Sequence, residues 1–548
     1  MLRAGRLSVS LGPDGAVRAL RVDDGPSLVG IGFLVRDAGW GTVPGEVERA
    51  TMGAARARFA GRHRGPGVDL AWEVTVDLSP AGLAYRVAGH AAADSIVNRV
   101  GLVALHPASW AGLEVVVSHP DGSSQAARFP EEVSPWQPFL DVTALTVATP
   151  GGPVSVRFAG DVFETEDQRN WSDASFKTYS RPLALPFPYT IAAGERFEQA
   201  VTVDVTAPAR APRPRPRPVT VEPGRIVAPP EVGLVVGPDE DLRSFAADLA
   251  DISPAWLRTD VLAGPDGLAG GDRLAQVVAR GLPVAVAVHV AGGGAGRGLA
   301  ELAGALGALP VAPAAAYAFD AEREATTPEV AAAVRAAIGA GVPLFVGTDD
   351  NLAELNRNRV DPAEVGAEGV VFAATPTVHD DDAGAIAATS DALPAMAATV
   401  RSFARGVLEV GPLTLRPRRT IHAAGRVDRL GRDAGSIDPR QHAPLAAAWL
   451  LASLATFATA GVERVTLGEL SGPRGLVPAP GLRSPAAGVV RAVCRATIAR
   501  ELVASDDAIR GLELDGARWL ANRTAEPVDV RTPSGVVTVP PYAVAVTR

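Results

Sequence analysis

The stretch Pro283-Val-Ala-Val-Ala-Val-His-Val290 is a continuous apolar run of strand length, followed by a glycine-rich turn and an Ala/Leu-rich stretch. The same alternation recurs from about residue 232 to about residue 480. Apolar strands that alternate with helices indicate a parallel sheet covered on both faces. Eight runs predict strands, at Val232–Val236, Trp256–Val261, Pro283–Val290, Pro313–Phe319, Pro343–Gly347, Gly369–Ala374, Gly406–Leu415 and Val462–Leu467.

Eight such units within about 250 residues match the size of a (β/α)8 TIM barrel. An open, doubly wound sheet is the alternative. The predicted barrel domain occupies 229–505, and residues 207–228 before it begin with a Pro/Arg-rich tract that is typical of an extended linker. Short alternating runs such as Leu70–Leu78, between Gly, Pro and Asp turns, predict an N-terminal β-sandwich over 1–206. Strand and turn signals predict a small C-terminal β-domain over 506–548.

Composition excludes several classes of partner and site. The chain has 548 residues, 47% of them hydrophobic, and a formal net charge of −9. This fits a multidomain globular protein without the basic surface that nucleic acid or an anionic membrane would require. The N-terminus lacks the apolar region of a signal peptide, so we expect a cytoplasmic protein with no membrane partner. The single cysteine, Cys494, excludes an internal disulfide and a thiolate metal site.

Rare residue types concentrate in two polar segments. Lys177 is the only lysine, and it lies with Asn170 in the segment Glu164–Tyr179. Three of the six asparagines lie in a second segment, at Asn351, Asn356 and Asn358. The composition is otherwise weighted toward Ala, Gly, Pro, Val and Arg, so we expect these residues to be retained for their chemistry. Chance clustering in exposed loops is the alternative.

Polar side chains occur at the ends of the predicted barrel strands, where the active sites of TIM barrels lie. Each of them could instead be a helix cap or an ion-pair partner. They are Arg258 and Asp260 at strand two, His289 at strand three, Asp320 at strand four, Asp349, Asn351, Glu354 and Asn356 after strand five, Thr375, Thr377 and His379 after strand six, Glu409, Arg416 and Arg418 along strand seven, and Glu469 at strand eight.

Common catalytic and cofactor motifs are absent from the sequence. There is no G-x-S-x-G, no H-E-x-x-H and no His-x-His on the first barrel strand, and the Gly-rich stretch at 291–298 fits neither a P-loop nor a dinucleotide fingerprint. Two histidines with scattered carboxylates are only a weak metal signal, so we expect neither a metal nor a cofactor. The remaining carboxylates, amides and aromatic rings suit a hydrolase that acts on sugars.

Several motifs resemble those of the D-apionate lactonase family. They are Glu164–Tyr179, Leu183–Pro188, Ala353–Arg357, Thr414–Arg418, Asp438–Gln441 and the pattern Glu469-x-x-Gly472-x-Arg474-Gly475. The resemblance spans most of the chain. It implies an N-terminal β-domain, a central TIM barrel, a C-terminal β-domain and hydrolysis of the lactone of the branched sugar acid D-apionate. The residues after Glu469 and those around His379 depart from the usual family pattern, which bears on the identity of the substrate.

Lactone hydrolysis requires a base to activate water, donors for the oxyanion and an acid for the departing ring oxygen. Our hypothesis makes Glu469 the base and His289 or His379 the acid. Arg416, Arg418 and Lys177 are the candidates to stabilise negative charge, although Lys177 could instead pair with a carboxylate of its own segment. The residues expected to bind a small sugar lactone are Asp167, Arg169, Asn170, Trp171, Tyr179, Arg258, Asp349, Asn351, Glu354 and Asn356. For the stretch 167–171, a domain interface is the alternative.

Two other functions compete with this hypothesis. A retaining TIM-barrel glycosidase needs two carboxylates about 5 Å apart on strands four and seven, where Asp320 and Glu409 stand. A non-catalytic carbohydrate-binding protein is the alternative from another class, and it is favoured only if the polar strand ends fail to converge.

Overall fold

The structure is a computed structural model that describes residues 1–23, 25–206, 218–292, 296–419, 429–432 and 434–548. The described residues group into two compact units. The first comprises Met1–Gln168 and the residues that follow Ala174 up to 206, and the second comprises Arg169–Ala174 and the residues from 218 onward. The Pro/Arg-rich tract that was predicted to be a linker lies largely at 207–217, outside the described residues.

The described part of the first unit consists mainly of strands. They form two nine-stranded sheets, of order β1-β2-β3-β4-β9-β16-β15-β12 with β17 beside β9, and of order β11-β10-β13-β14-β18-β8-β7-β6-β5. The strands are β1 Leu2–Ala4, β2 Leu7–Leu11, β3 Val17–Val22, β4 Val29–Asp37, β5 Gly45–Met52, β6 Arg56–Gly65, β7 Val68–Ser79, β8 Gly82–Ala91, β9 Ser95–Pro107, β10 Glu114–Ser118, β11 Ser124–Arg128, β12 Phe139–Val142, β13 Ala144–Thr149, β14 Gly152–Ala159, β15 Phe163–Asp167, β16 Ser175–Tyr179, β17 Tyr189–Ile191 and β18 Arg196–Val205.

Alternation of apolar residues explains why the two sheets pack face to face. On β7, Leu70, Trp72 and Val74 are buried, and the residues between them are more exposed. Successive side chains of a strand point to opposite faces, so every second residue faces the core. One core cluster contains Val74 from the second sheet together with Ile31 and Leu102 from the first. The predicted β-sandwich is therefore confirmed.

The second unit contains a parallel barrel and a separate sheet. Its described strands are β19 Val219–Val227, β20 Glu231–Val235, β21 Trp256–Gly264, β22 Gly267–Ala269, β23 Val284–Val290, β24 Ala315–Asp320, β25 Leu344–Gly347, β26 Gly369–Ala374, β27 Val407–Leu413, β28 Arg464–Glu469, β29 Ala499–Ala504, β30 Ile509–Leu514, β31 Ala517–Asn522, β32 Val528–Thr532, β33 Gly535–Val539 and β34 Val544–Thr547.

The barrel closes because β20 pairs in parallel with both β21 and β28. Each of the eight predicted strands overlaps one strand of the barrel, so the TIM-barrel prediction is confirmed and the open-sheet alternative is wrong. All seven residues of β23 are buried. A parallel strand covered on both faces needs such an uninterrupted apolar run, which is why the pattern was visible in the sequence.

Helices surround the barrel. The described ones are α1 Ala246–Ile252, α2 Gly271–Val278, α3 Gly296–Gly307, α4 Pro328–Ile338, α5 Leu352–Arg357, α6 Ala383–Ala388, α7 Leu393–Phe403, α8 Pro444–Ala460 and α9 Pro485–Arg495. Helix α4 illustrates the local signals: Thr327 caps it by accepting a hydrogen bond from Val330 N, Pro328 follows at N1, and Gly339 ends it. Within the described residues, no helix is both long and apolar enough to cross a bilayer.

Helix α9 is shorter than the stretch of sequence that has a helical pattern. The stretch from Val489 to Leu502 has a helical pattern, but the helix ends at Arg495 and Ala499–Ala504 forms β29. Pairing with β19 and β30 holds this stretch extended despite its composition. Cys494 lies on α9, and burial raises the pKa of its thiol to about 12. The thiol is therefore protonated and unreactive at neutral pH.

The separate sheet has the order β33-β32-β19-β29-β30-β31-β34. Strand β19 lies within the stretch predicted to be a linker, yet it pairs with β29 and β32. It does so because Val219 and Val221 alternate on one face and are buried in a core with Leu502 and Leu520. The small C-terminal β-domain of the prediction is thus confirmed, and it also includes strands from immediately before and after the barrel.

Candidate active site

Charged side chains from five barrel strands and their following loops meet at the C-terminal end of the barrel. Arg258 and Asp260 lie on β21, and His289 lies on β23. Asp349 follows β25, and Glu469 ends β28. The loop after β27 adds Arg418, Arg419 and Arg432. Parallel strands bring their carboxyl ends to one mouth, so residues far apart in the chain become neighbours.

Asp349 is a buried carboxylate that pairs with three arginines. It accepts hydrogen bonds from Arg258 at 2.5 Å and from both Arg418 and Arg419. Burial alone would favour the neutral acid, but the three guanidinium groups outweigh it and hold the pKa of Asp349 far below its usual range. The side chain is therefore ionised at any pH at which the protein works.

Asp260, on β21, also pairs with three arginines. Its carboxylate accepts from Arg258 at 2.9 Å and Arg418 at 3.1 Å, and Arg432 approaches at 3.4 Å. Although burial opposes the charged form, these cations hold the pKa of Asp260 well below the usual value. The two aspartates fix the arginines in place and do not titrate near neutral pH.

His289 lies between the two aspartates. Its Nε2 is 3.6 Å from an oxygen of Asp260 and 3.6 Å from an oxygen of Asp349, and its ring lies 5.3 Å from that of Phe319. Complete burial lowers the pKa of His289. The imidazole is therefore neutral at neutral pH.

Asp260, His289 and Asp349 place one possible metal-ligand atom each within 4.8 Å of one another. However, each of the four carboxylate oxygens already accepts from a guanidinium group. A divalent cation prefers oxygen ligands that are not shared with other cations. It would have to displace arginines here, so the donor set fits an arginine cluster better than a metal.

Glu469 stands at the end of β28 and is almost fully buried. Its carboxylate lies 3.3 Å from Arg432 Nε and 3.2 Å from Arg474 Nε. Arg432 therefore joins Glu469 to Asp260. The loop after β20 passes close by at Gly237, where an added Cβ would lie only 2.9 Å from Cδ of Glu469. A side chain at this position would therefore displace the carboxylate.

Two clefts open at this mouth. The first cleft is lined by Glu469, Arg416, Arg418, Arg432 and Arg474, and by apolar residues that include Leu415, Trp449 and Leu450. The second cleft is lined by Asp349–Asn351, Ala373–Thr375, Pro412, Thr414 and Pro417–Arg419. Thr414 and Arg418 belong to both linings. The five arginines Arg258, Arg418, Arg419, Arg432 and Arg474 outnumber the three carboxylates Asp260, Asp349 and Glu469 that they pair with, so the cluster carries an excess of positive charge.

Two other barrel residues that the sequence suggested for the site, Arg416 and His379, pair with aspartates outside the arginine cluster. Arg416 lines the first cleft, and it pairs with Asp438 at 3.0 Å and with Asp381 at 2.8 Å. His379 Nδ1 lies 2.7 Å from Asp173, and its ring meets that of Trp171 edge-on at 5.5 Å. These described contacts of His379 do not include Glu469.

Arg169–Ala174 group with the barrel, although they lie between two strands of the first unit in the sequence. Asn356 Nδ2 donates to Asn170 Oδ1 at 3.1 Å, and the guanidinium of Arg357 lies over the Trp171 ring at 5.2 Å. Arg169 is also buried. The polar segment around Trp171 therefore meets the polar segment that follows β25.

Glu354, on α5, is a buried carboxyl group. Burial first, and then the negative charge of Asp350, raise the pKa of Glu354 to about 8. Its Oε2 has no hydrogen-bond partner among the described residues. Glu354 is therefore largely protonated at neutral pH.

Lys177, Asp167 and Tyr179 have their described partners inside the first unit. Lys177 Nζ pairs with Glu166 at 2.5 Å. This contact agrees with the alternative that Lys177 pairs with a carboxylate of its own segment. Asp167 accepts from Ser134 N at 2.9 Å. Tyr179 donates to Glu164 at 2.5 Å, and burial raises the pKa of its hydroxyl well above the usual value.

The two carboxylates of the glycosidase alternative do not form a pair. Glu409 is completely buried in the barrel, where it accepts from Tyr317 at 2.8 Å, Arg464 at 2.9 Å and Thr466 at 2.5 Å. Asp320 instead accepts from the backbone N–H groups of the turn that follows β24. Both carboxylates have structural partners, which disfavours the glycosidase.

Sequence reasoning missed three arginines of the site as candidates. Arg419 adjoins Arg418, and Arg474 lies inside a motif that was quoted for the family, so both had a signal. Arg432 lies in the long connection between β27 and α8. No periodicity marks it, and only the fold brings it to Glu469.

Comparison with known proteins assigns all three domains to one family. Three family models match: "D-apionate lactonase, N-terminal domain" over residues 1–208, "TIM barrel domain" over 232–498 and "C-terminal immunoglobulin-like domain" over 506–547. A D-apionate lactonase of Brucella anthropi is 30% identical over 591 aligned positions, which cover 99% of this chain and 96% of the relative.

Solved structures give only distant likenesses. A glycoside hydrolase family 30 subfamily 8 xylanase of Clostridium acetobutylicum has a TM-score of 0.36 and 10% identity, and covers 60% of this chain and 98% of its own. A putative aldose 1-epimerase of Escherichia coli K12 has a TM-score of 0.28 and 12% identity, and covers 38% of this chain and 98% of its own. At such TM-scores neither likeness bears on the function.

Proposed function

We propose that this chain, which belongs to the D-apionate lactonase family, is a hydrolase that opens the ring of a sugar-acid lactone, with D-apionolactone as the substrate and D-apionate as the product. The observation that carries the proposal is the position of Glu469 in the first cleft, beside Arg418, Arg432 and Arg474. A carboxylate and several guanidinium donors around one cleft are what ester hydrolysis requires. The convergence of the strand ends also disfavours a non-catalytic binding protein.

In this proposal Glu469 acts as the general base. Its carboxylate accepts a proton from water as the water oxygen attacks the lactone carbonyl carbon. Arg432 and Arg474 hold the carboxylate in a fixed orientation through bonds of 3.3 and 3.2 Å. Fixed orientation of a reacting group accounts for a large part of enzymatic acceleration.

Arg416 and Arg418 are assigned to the developing oxyanion. Both line the first cleft with Glu469, and both are held by buried aspartates, Asp438 for Arg416 and Asp349 for Arg418. Donors fixed in this way need no reorganisation when negative charge develops on the carbonyl oxygen. The same cations would then hold the carboxylate of the opened product.

The ring oxygen must receive a proton when the carbon–oxygen bond breaks. We assign this step to Glu469 in its acid form, because it has just taken a proton from water and lies in the same cleft. The sequence suggests His289 or His379 as this acid. His289 lies among Asp260, Asp349 and Phe319, and His379 lies against Asp173 and Trp171, so the described contacts of neither histidine include Glu469.

The test is a panel of sugar-acid lactones and aryl glycosides, followed by acid release and by chromophore release. We expect lactone opening and no glycoside cleavage. Glu469→Gln should reduce kcat by at least about 10²-fold, while Glu222→Gln, at an exposed position of β19, should not change it. Unchanged lactone opening in Glu469→Gln would remove the base assignment, and glycoside cleavage without lactone opening would overturn the function.

A further inference from the structure

The second cleft contains polar atoms that the protein itself leaves unused. Asn351 Oδ1 and Thr375 Oγ1 are both buried, and neither has a hydrogen-bond partner among the described residues. Asn351 is 3% exposed and Thr375 is 5% exposed, and both line the second cleft. A buried polar atom without a partner is unfavourable. Two of them in one cleft indicate that a ligand completes their bonding.

The other polar groups of the second cleft are already engaged. The hydroxyl of Thr414 donates to the carbonyl of Arg416 at 2.7 Å. Arg418 and Arg419 are bound to Asp349, and Asp350 pairs with Arg429 at 3.2 Å. The buried atoms without a partner are one amide oxygen, which accepts, and one hydroxyl, which both donates and accepts.

This pair of atoms selects a neutral ligand group that can also donate and accept. An alcohol hydroxyl can donate to an amide oxygen such as Asn351 Oδ1, and it can accept from a hydroxyl such as that of Thr375. A carboxylate could not donate to the amide oxygen, and a methyl group would satisfy neither atom. Ala373, Ala374 and Pro412 supply an apolar wall for the carbon that carries the hydroxyl.

We propose that the second cleft binds a hydroxyl-bearing branch of the lactone, outside the ring, while the ring carbonyl lies in the first cleft. The inference rests on the proposed function and adds to it that Asn351 and Thr375 determine substrate specificity. The two clefts share Thr414 and Arg418, so one small molecule can reach into both. The substrate class is then a branched polyhydroxy lactone.

The experiment compares two substrates and two variants. The substrates are D-apionolactone and the analogue whose hydroxymethyl branch is replaced by methyl. The variants are Thr375→Val, which removes the hydroxyl with little change of shape, and Asn351→Ala. Thr146→Val, at an exposed position of β13, is the matched control.

We expect the wild-type kcat/KM to favour the hydroxylated lactone by about 10²-fold or more, because a site built to bind a hydroxyl rejects the analogue that lacks it. Thr375→Val and Asn351→Ala should each reduce this preference about tenfold or more, mainly by raising KM for the hydroxylated lactone more than KM for the methyl analogue. A purely structural role would lower both rates together.

The outcomes separate the two proposals. Lactone opening with an equal loss on both substrates, or with no loss, overturns the specificity inference and leaves the proposed function standing. Absence of any lactone opening by the wild-type protein overturns the proposed function, and the inference with it.

Discussion

Arg432 Nε lies 3.3 Å from Glu469 Oε1, although the two residues are separated by 37 positions in the sequence. The same guanidinium group reaches Asp260 on β21 with Nη2 at 3.4 Å. One side chain from the loop after β27 therefore connects the end of β28 with Asp260 on β21. The orientation of the proposed base depends on this connection.

Arg432→Gln should lower kcat about 10²-fold, because the carboxylate loses the donor that orients it. KM should change by less than about threefold, since the substrate is not the partner that is lost. Steady-state kinetics on D-apionolactone measure both values, and Arg432→Lys should restore part of kcat. Arg483→Gln, which affects an exposed pair with Asp251, is the control. An unchanged kcat in Arg432→Gln would show that Glu469 needs no such support.

Gly237→Ala should reduce activity without destabilising the fold. The added Cβ would lie 2.9 Å from Cδ of Glu469, so the carboxylate must move, and a displacement near 1 Å can lower the rate about 10²-fold. Kinetics and a melting curve together check this. An added Cβ at Gly304, on α3, would meet no other atom within 4 Å. Gly304→Ala should therefore leave kcat unchanged. A loss of activity in Gly304→Ala, or full activity in Gly237→Ala, contradicts the prediction.

Asp349→Asn should destabilise the protein by about 3–5 kcal/mol, because Arg258, Arg418 and Arg419 would remain buried without their counter-charge. The depressed pKa of Asp349 means that its stabilisation is present above the unfolded value near pH 4 and is lost as the pH falls further. The gap in melting temperature between wild type and variant should therefore be largest near neutral pH. Asp350→Asn, which affects the more exposed pair with Arg429, should lower the stability less. Equal losses of stability in the two variants would argue against the central role of Asp349.

Glu354→Gln should stabilise the protein at alkaline pH. The pKa of Glu354 is about 8 in the folded chain against a usual 4.5, so the native state keeps a proton that the unfolded state releases. Stability is therefore lost as the pH rises from about 4.5 to 8, and glutamine avoids this loss. The variant should melt at nearly the wild-type temperature at pH 5 and at a higher one at pH 8.5. Glu329→Gln, at an exposed position of α4, serves as control, and a pH-independent difference would contradict the assignment.

The barrel and the family could both be predicted from the sequence, for different reasons. The strands were visible because β23 and its neighbours are buried on both faces, which requires uninterrupted apolar residues. The family was visible because long motifs such as Glu164–Tyr179 keep their residue types, and it is confirmed by the match of all three domains.

The details that sequence reasoning missed depend on contacts between distant segments. Arg432 has no local pattern that distinguishes it from other loop arginines. The partner of His379 is Asp173, 206 positions away. Strand β19 contains Pro223 and Gly224 and follows a proline-rich tract, so its composition favoured a linker, and pairing with β29 and β32 makes it a strand.

That pairing also bears on how the catalytic domain could be excised. Strand β19 ends four residues before the first barrel strand, and β29 begins soon after the last barrel helix, so one antiparallel ladder fastens the entry and the exit of the barrel together. The pairing of β19 with β29 thus holds the two ends of the barrel domain together. A fragment cut at the apparent borders of the barrel would lack it and would fray from both ends, whereas a fragment that begins at Val219 and keeps the C-terminal sheet would stay closed.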